Sequence, residues 1–344
     1  MYVLKQLWLS KEHQTMIKWQ ELLHTVGLSG NECPDYTVGI YDGDQLIASG
    51  SYEGQVIKYI AVCKKYQSEK LLIRIINHLI EKLREEGKLH YFIYTKLENQ
   101  RVFRSLGFKE VFSTREVAFM ELEAPNFNEY KALLKQSKKA ESASGIVINA
   151  NPFTKGHQYL VESAAKESEY VYLFVLSAEE SMFSAADRFE MVKRGVAHLK
   201  NVSVLPTNDY LISAAVFPAY FLKEKAPIEQ ARIQATFDSQ LFKEKIAPIL
   251  HINKRFVGEE PFSEVTNLYN QTMKEVFDSD ISLIILPRLS CNGETISATK
   301  ARQAIKERNE QKLMKFLPET TLEYLHQKGV MTCGNKTSCS CWYR

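Results

Sequence analysis

Two short segments hold the residues best suited to chemistry. Asn151-Pro152-Phe153-Thr154-Lys155-Gly156-His157 lies between a strand-like apolar run and a helical pattern. Ile296-Ser297-Ala298-Thr299-Lys300-Ala301-Arg302 opens another helical pattern, with Ser297 140 residues beyond His157. Each places hydroxyls, a base and backbone N–H groups where a helix begins. The first N–H groups of a helix have no partner within it and point outward, so such an end favours an anion. Two such ends in one domain suit a nucleotide triphosphate held between them.

The individual residues fit that chemistry. Pro152 stiffens the exit from the strand, and Gly156 lets a phosphate approach bare backbone. His157 can donate to a phosphate oxygen as charge builds during a displacement. Lys300 and Arg302 set two cations in a first turn, where they oppose the helix dipole unless an anion is bound. A plainer alternative stands beside this. Thr154 and either Ser297 or Thr299 are N-caps, His157 is a surface residue, and the cations are solvated. Glu259-Glu260 follows a strand-like run and either holds Mg2+ or ribose hydroxyls, or is plain surface. Arg188, near a helix start, either reaches substrate or makes an exposed salt bridge, and the salt bridge is the expectation.

The elements that must position these groups fall into two halves with different patterns. Residues 1–122 read as mixed α+β. Strands are expected at 36–41, 45–52, 56–62, 90–95 and 117–122, with Asp42-Gly43-Asp44 as a hairpin turn. Residues 68–86 form an amphipathic helix with Leu71, Leu72, Ile75, Ile76, Leu79 and Leu83 on one side. A short helix over 99–106 ends at Gly107. Residues 123–142 read as a connector with a short helix over 129–135. From Gly145 strands and helices alternate through residue 330, and the run Tyr170–Leu176 lacks polar alternation, as a buried strand does. Such alternation implies a parallel sheet with right-handed crossovers, and ligands of such sheets bind at the strands' carboxyl ends. Asn151–His157 follows the first strand of this half.

Composition excludes several classes. A formal net charge of +3 over 344 residues gives no basic footprint for nucleic acid. No run of 18 apolar residues suggests a membrane span. The first residues, Met1 to Lys5, lack a signal-peptide apolar region, so a cytoplasmic location is expected. Cys33, Cys63 and Cys291 are scattered, as free thiols are. Cys333, Cys339 and Cys341 lack a fourth ligand in paired spacing, so residues 331–344 are expected to be a disordered tail.

The first half resembles the GNAT acetyltransferase fold. The matching features are the strand ending at Ile60-Ala61-Val62, the long helix after it, and the stretch Glu98 to Phe108. The GNAT loop that cradles a pyrophosphate carries glycines, whereas this one reads Gln67-Ser68-Glu69-Lys70-Leu71-Leu72. The resemblance therefore implies the fold, and the loop argues against conventional acetyl-CoA catalysis. The second half resembles the nucleotidyltransferase superfamily, with its paired signatures (His/Thr)-x-Gly-His and Ile-Ser-Ser-Thr-x-x-Arg. They stand here as Thr154-Lys155-Gly156-His157 and Ile296–Arg302, with Ala298 in place of the second serine.

A GNAT-like half followed by a nucleotidyltransferase half, with the stretches Val147–His157, Asp209–Lys223 and Arg255–Phe262, is similar to the [citrate (pro-3S)-lyase] ligase family. This similarity implies a Rossmann-like C-terminal domain and an ATP-dependent acid–thiol ligase that activates citrate lyase. Acetate attacks the α-phosphate of ATP, giving acetyl-AMP. The thiol of a CoA-derived prosthetic group on the citrate lyase acyl carrier subunit then takes the acetyl group. His157, Thr154 and Arg302 would do the catalytic work. Asn151, Phe153, Lys155, Gly156, Ser297, Thr299, Lys300 and Glu259 would hold ATP, with Mg2+ and no assigned protein ligand to it. Phe217, Pro218 and Tyr220 either line an acetate pocket or belong to the core. Other readings remain: a nucleotidyltransferase acting on a phosphorylated acceptor, or a non-enzymatic sensor of a CoA-like group.

Overall fold

The computed structural model describes residues 2–30, 33–67, 69–177, 182–211, 222, 225–259, 264–291 and 293–330. The chain folds as two compact units, Met1–Leu133 with Val216–Leu241, and Leu134–Ala215 with Phe242–Arg344.

The first unit contains β1 (Val3–Gln6), α1 (His13–Thr25), β2 (Tyr36–Asp42), β3 (Gln45–Glu53), β4 (Val56–Val62), α2 (Glu69–Glu85), β5 (His90–Thr95), α3 (Gln100–Ser105), β6 (Lys109–Ser113) and β7 (Ala118–Glu123). The unit boundary falls within α4 (Phe127–Ser137). The seven strands form one sheet in the order β1-β2-β3-β4-β5-β7-β6. Every neighbouring pair is antiparallel except β4 and β5. That parallel pair registers only at Val56–Phe92 and Ile57–Ile93, so the two strands part company beyond it. Helix α2 buries Leu71, Ile75, Ile76, Leu79 and Leu83 as its spacing predicts. It lies so close to β3 that a Cβ on Gly50 would sit 2.4 Å from Ile75 Cγ2.

The second unit contains β8 (Ala143–Ile148), α5 (Lys155–Glu167), β9 (Tyr170–Val175), α6 (Ala185–Gly195) and β10 (Val202–Pro206). The chain then returns to the first unit for α7 (Pro227–Leu241). Back in the second unit come α8 (Ala247–Leu250), β11 (Ile252–Gly258), α9 (Glu264–Phe277), β12 (Ser282–Leu286), the hairpin of β13 (Ser290–Cys291) and β14 (Glu294–Thr295), α10 (Ala298–Lys306), α11 (Glu310–Phe316) and α12 (Glu319–Gln327). Five strands make a wholly parallel sheet in the order β10-β9-β8-β11-β12. From β8 the chain builds outward on one side, then crosses to build on the other. The switch point, where such sheets open a crevice at the strands' carboxyl ends, therefore lies between β8 and β11. The core of this unit joins Ile146, Leu173, Val192 and Phe256 to Leu313, Phe316 and Leu325 of the last two helices.

The placement of α7 departs from the expected division into 1–122, a connector 123–142 and a continuous domain 143–330. Phe237 on α7 packs edge-on against Tyr94, Phe112 and Phe119 of the first unit's sheet. Periodicity identifies a helix there but does not say which sheet it covers. The expected tail 331–344, and the residues Phe217, Pro218, Tyr220 and Glu260, lie outside the described residues. Among the described residues, no helix is long and apolar enough to cross a membrane.

Candidate active site

The first motif leaves β8 at the switch point. Ala150 turns the chain in the left-handed region, φ 52°, a conformation that costs a residue with a Cβ. Pro152 and Phe153 are buried, and Thr154 begins α5 as its N-cap. The Thr154 hydroxyl accepts from the His157 backbone N–H at 3.3 Å, and in return the Thr154 backbone N–H donates to His157 Nδ1 at 3.1 Å. This reciprocal cap fixes the ring. Because Nδ1 accepts, the proton of the neutral imidazole sits on Nε2, which is then a donor. Phe153 stacks on the same ring, with centroids 5.8 Å apart and planes 18° off parallel.

The charge state follows from the surroundings. Burial, and after it the positive charge of Arg288, pushes the His157 imidazole down to about 4. The residue keeps some exposure, so crowding by protein rather than full occlusion strips its water. His157 is thus a neutral Nε2–H donor at physiological pH. Thr154 was open to reading as a cap or as a catalytic group. Its described bonds make it the cap that aims His157.

The second motif meets the first directly. Ser297, not Thr299, caps α10, accepting from the Lys300 backbone N–H at 3.2 Å. Arg302 Nη1 donates to the Asn151 carbonyl at 2.8 Å, and its Nη2 donates to Thr299 Oγ1 at 3.0 Å. The guanidinium therefore ties the two segments together. Gly156 faces Ile296, whose carbonyl oxygen would lie 3.8 Å from an added Cβ. Protein atoms there leave room for ordinary contacts, so packing alone does not demand a glycine. The bare position is open to a ligand.

The other expected residues are placed less uniformly. Asn151 is buried, and its side-chain oxygen accepts from the Phe183 N–H at 3.3 Å. Lys155 donates to the Met314 carbonyl at 2.7 Å, and Lys300 pairs with Glu294 at 3.2 Å. Glu259 is joined to this region through its backbone: its carbonyl accepts from Arg288 Nε at 2.9 Å.

Two arginines change standing. Arg188 does not make the expected exposed salt bridge. It is fully buried, and its Nη1 donates to the Asn149 carbonyl at 3.1 Å and to the Asn149 side-chain oxygen. It braces the chain two residues before the first motif. Its neighbour Asp187 takes the surface partners instead, accepting from Lys328 at 2.8 Å and from the Tyr324 hydroxyl at 2.5 Å. Arg288 belongs to neither motif. It follows β12 by two residues, so its position at a strand's carboxyl end was the available signal. Burial lowers its affinity for the proton, but a guanidinium remains charged.

Comparison with known proteins agrees with this architecture. Residues 143–325 match the model of the citrate lyase ligase C-terminal domain. The chain is 35% identical over 290 residues to the [citrate [pro-3S]-lyase] ligase of Klebsiella pneumoniae, covering 82% of this chain and 84% of that one. It is 33% identical over 322 residues to the [citrate [pro-3S]-lyase] ligase of Escherichia coli K12, covering 91% of each. Among solved structures, the Escherichia coli ribosomal-protein-S18-alanine N-acetyltransferase aligns over 36% of this chain and 94% of its own, at 17% identity and a TM-score of 0.31. Thermotoga maritima TmcAL bound with alpha-thio ATP aligns over 54% and 56%, at 15% identity and a TM-score of 0.35. Both structural likenesses are too slight to build on. The curated relatives match across both halves and at substantial identity, and so the chain belongs to the [citrate [pro-3S]-lyase] ligase family.

Proposed function

We propose that this enzyme couples ATP to the acetylation of a carrier-bound thiol, and thereby activates citrate lyase. A carboxylate oxygen of acetate attacks the α-phosphorus of ATP. The bond from that phosphorus to the bridging oxygen breaks, and pyrophosphate leaves. The sulfur of the prosthetic group on the acyl carrier subunit then attacks the acetyl carbonyl of acetyl-AMP. AMP departs, and the thiol proton passes to solvent.

The observation that carries this reading is His157, its Nδ1 held by the Thr154 N–H and Arg288 near enough to act on its charge, together with the Arg302 bridge that ties the two motifs. A fixed N–H donor and fixed cations stabilise the charge that develops on phosphate oxygens without reorganising. The cations also offset repulsion between a carboxylate and a polyphosphate, much of what phosphoryl chemistry asks of a protein. A Mg2+ carried on the nucleotide's own phosphates and water would neutralise charge there. The reading implies a cytoplasmic enzyme, where ATP is supplied.

The test is isotope exchange. Labelled pyrophosphate should enter ATP only when acetate is present. Exchange without acetate, or dependence on a phosphorylated acceptor instead, would return the site to general nucleotidyl transfer.

We assign the carrier's prosthetic arm to the first unit. Where β4 and β5 part, a cavity of about 500 Å³ opens, lined by Ile60, Val62, Leu72, Tyr94, Asn99 and Val102. Diverging parallel strands leave backbone groups facing the gap, and an extended amide chain can bond to them as an added strand would. Filling the gap with Leu72→Trp or Val102→Trp should leave acetate-dependent exchange intact. Transfer to the carrier thiol should fall about tenfold or more, as when a contact region is blocked. Equal loss of both activities would sink the assignment.

A further inference from the structure

Three lysines from separate elements converge beside the two motifs, and one of them belongs to neither. Lys315, in the last turn of α11, donates to Glu294 Oε2 at 2.8 Å. Lys300 of the second motif donates to Oε1 of the same carboxylate at 3.2 Å. Lys155 of the first motif donates to the carbonyl of Met314, the residue before Lys315. The arrangement is anchored from below: Leu313 and Phe316 of α11 are buried in the core of the unit, which fixes where Met314 and Lys315 point. Glu294 lies on β14, three residues before the Ser297 cap, so the hairpin holds it against the start of α10.

Two ammonium groups thus share a single carboxylate, and a third is held at the carbonyl of the residue before Lys315. Lys315 first, then Lys300, holds the Glu294 carboxyl below its ordinary range, so it is ionised. The cluster nonetheless keeps an excess of positive charge. All these pairs are at least partly open to water, where ion pairs are weak and exchange readily. A polyphosphate offers several charges and oxygens at once and forms stronger bonds to ammonium groups than one shared carboxylate does.

We propose that Lys315 is an additional ligand for the outer phosphates of the nucleotide, and that Glu294 is a displaceable counter-carboxylate which holds Lys300 and Lys315 until a polyphosphate replaces it. The arrangement selects by charge. A nucleoside monophosphate lacks the outer phosphates needed to displace Glu294. A triphosphate, or the pyrophosphate product, carries them. The inference rests on the nucleotide reading of this site.

The test is equilibrium binding of inorganic tripolyphosphate, pyrophosphate and AMP to the full chain by calorimetry. Lys315→Gln should weaken tripolyphosphate about tenfold, the scale of one lost charge-assisted contact, and leave AMP unchanged. Lys315→Arg should recover most of that loss, which separates charge from packing. Glu294→Gln should tighten both inorganic anions several-fold, because the competitor is gone. If Lys315→Gln binds tripolyphosphate as the parent does, or loses AMP equally, the inference is overturned while the nucleotide reading stands. If the parent protein binds neither ATP nor tripolyphosphate, both are overturned.

Discussion

Replacing His157 with alanine should lower acetate-dependent pyrophosphate exchange by roughly a hundredfold to a thousandfold, the scale of removing one fixed donor to a developing oxyanion. Binding of ATP should change far less, because the donor matters most where charge accumulates. The pH profile gives a second test. An ordinary histidine would impose an acid limb near 6.5. Here burial and Arg288 hold the folded value at about 4. The exchange rate should therefore show no His157 limb between pH 6.5 and 5. Stability should show the opposite sensitivity. The unfolded chain takes up a proton at this residue below about 6.5 that the folded chain refuses until near 4. Stability present above that range is lost as pH falls through it, by at most about 1.4 kcal/mol per pH unit. His157→Ala should remove that part of the acid sensitivity, which urea titrations at pH 7 and 5 would reveal.

The second large effect lies beneath the imidazole. Phe153 is fully buried and seats its ring on Gly195 of α6. A Cβ at Gly195 would stand 2.3 Å from Phe153 Cε1 and 2.7 Å from Cδ1, so the ring would have to move. Phe153→Ala should cost about 3–5 kcal/mol by leaving a cavity. Gly195→Ala should cost about 1–3 kcal/mol by overpacking, reduced by roughly 1 kcal/mol of gained helix propensity. Its effect on exchange should exceed its effect on folding, because the displaced ring is the one stacked on His157. Adding Phe153→Leu to Gly195→Ala should restore much of the stability and little of the exchange. Restoration of both would mean that the ring supports the fold and nothing more.

Much of this was legible in the sequence, for identifiable reasons. The strands Val56–Val62 and His90–Thr95 coincide with their apolar runs to the residue. Helix α2 follows its spacing to within one residue at either end. By contrast, β1 is exposed along most of its length, so no burial pattern marked it. Helix α1 buries only Trp19, Leu22 and Leu23, too few to stand out from a polar stretch. Both motifs were visible because each is short and continuous. What they rest on was not. Lys155 meets Met314 across 159 residues, and Arg302 meets Asn151 across 151. Burial of Arg188 was hidden for a related reason, since charge in a sequence reads as surface until a carbonyl such as that of Asn149 is known to face it.

The return of the chain to its first unit for α7 bears on how the protein is made. During synthesis the first sheet cannot gain Phe237, which packs on Tyr94, Phe112 and Phe119, until residue 237 has left the ribosome. By then β8, β9 and β10 of the second unit have already emerged. Domains that form strictly in order during translation finish one before the next begins. Here the second unit has begun to emerge before the first can be completed, and no single cut yields either one whole.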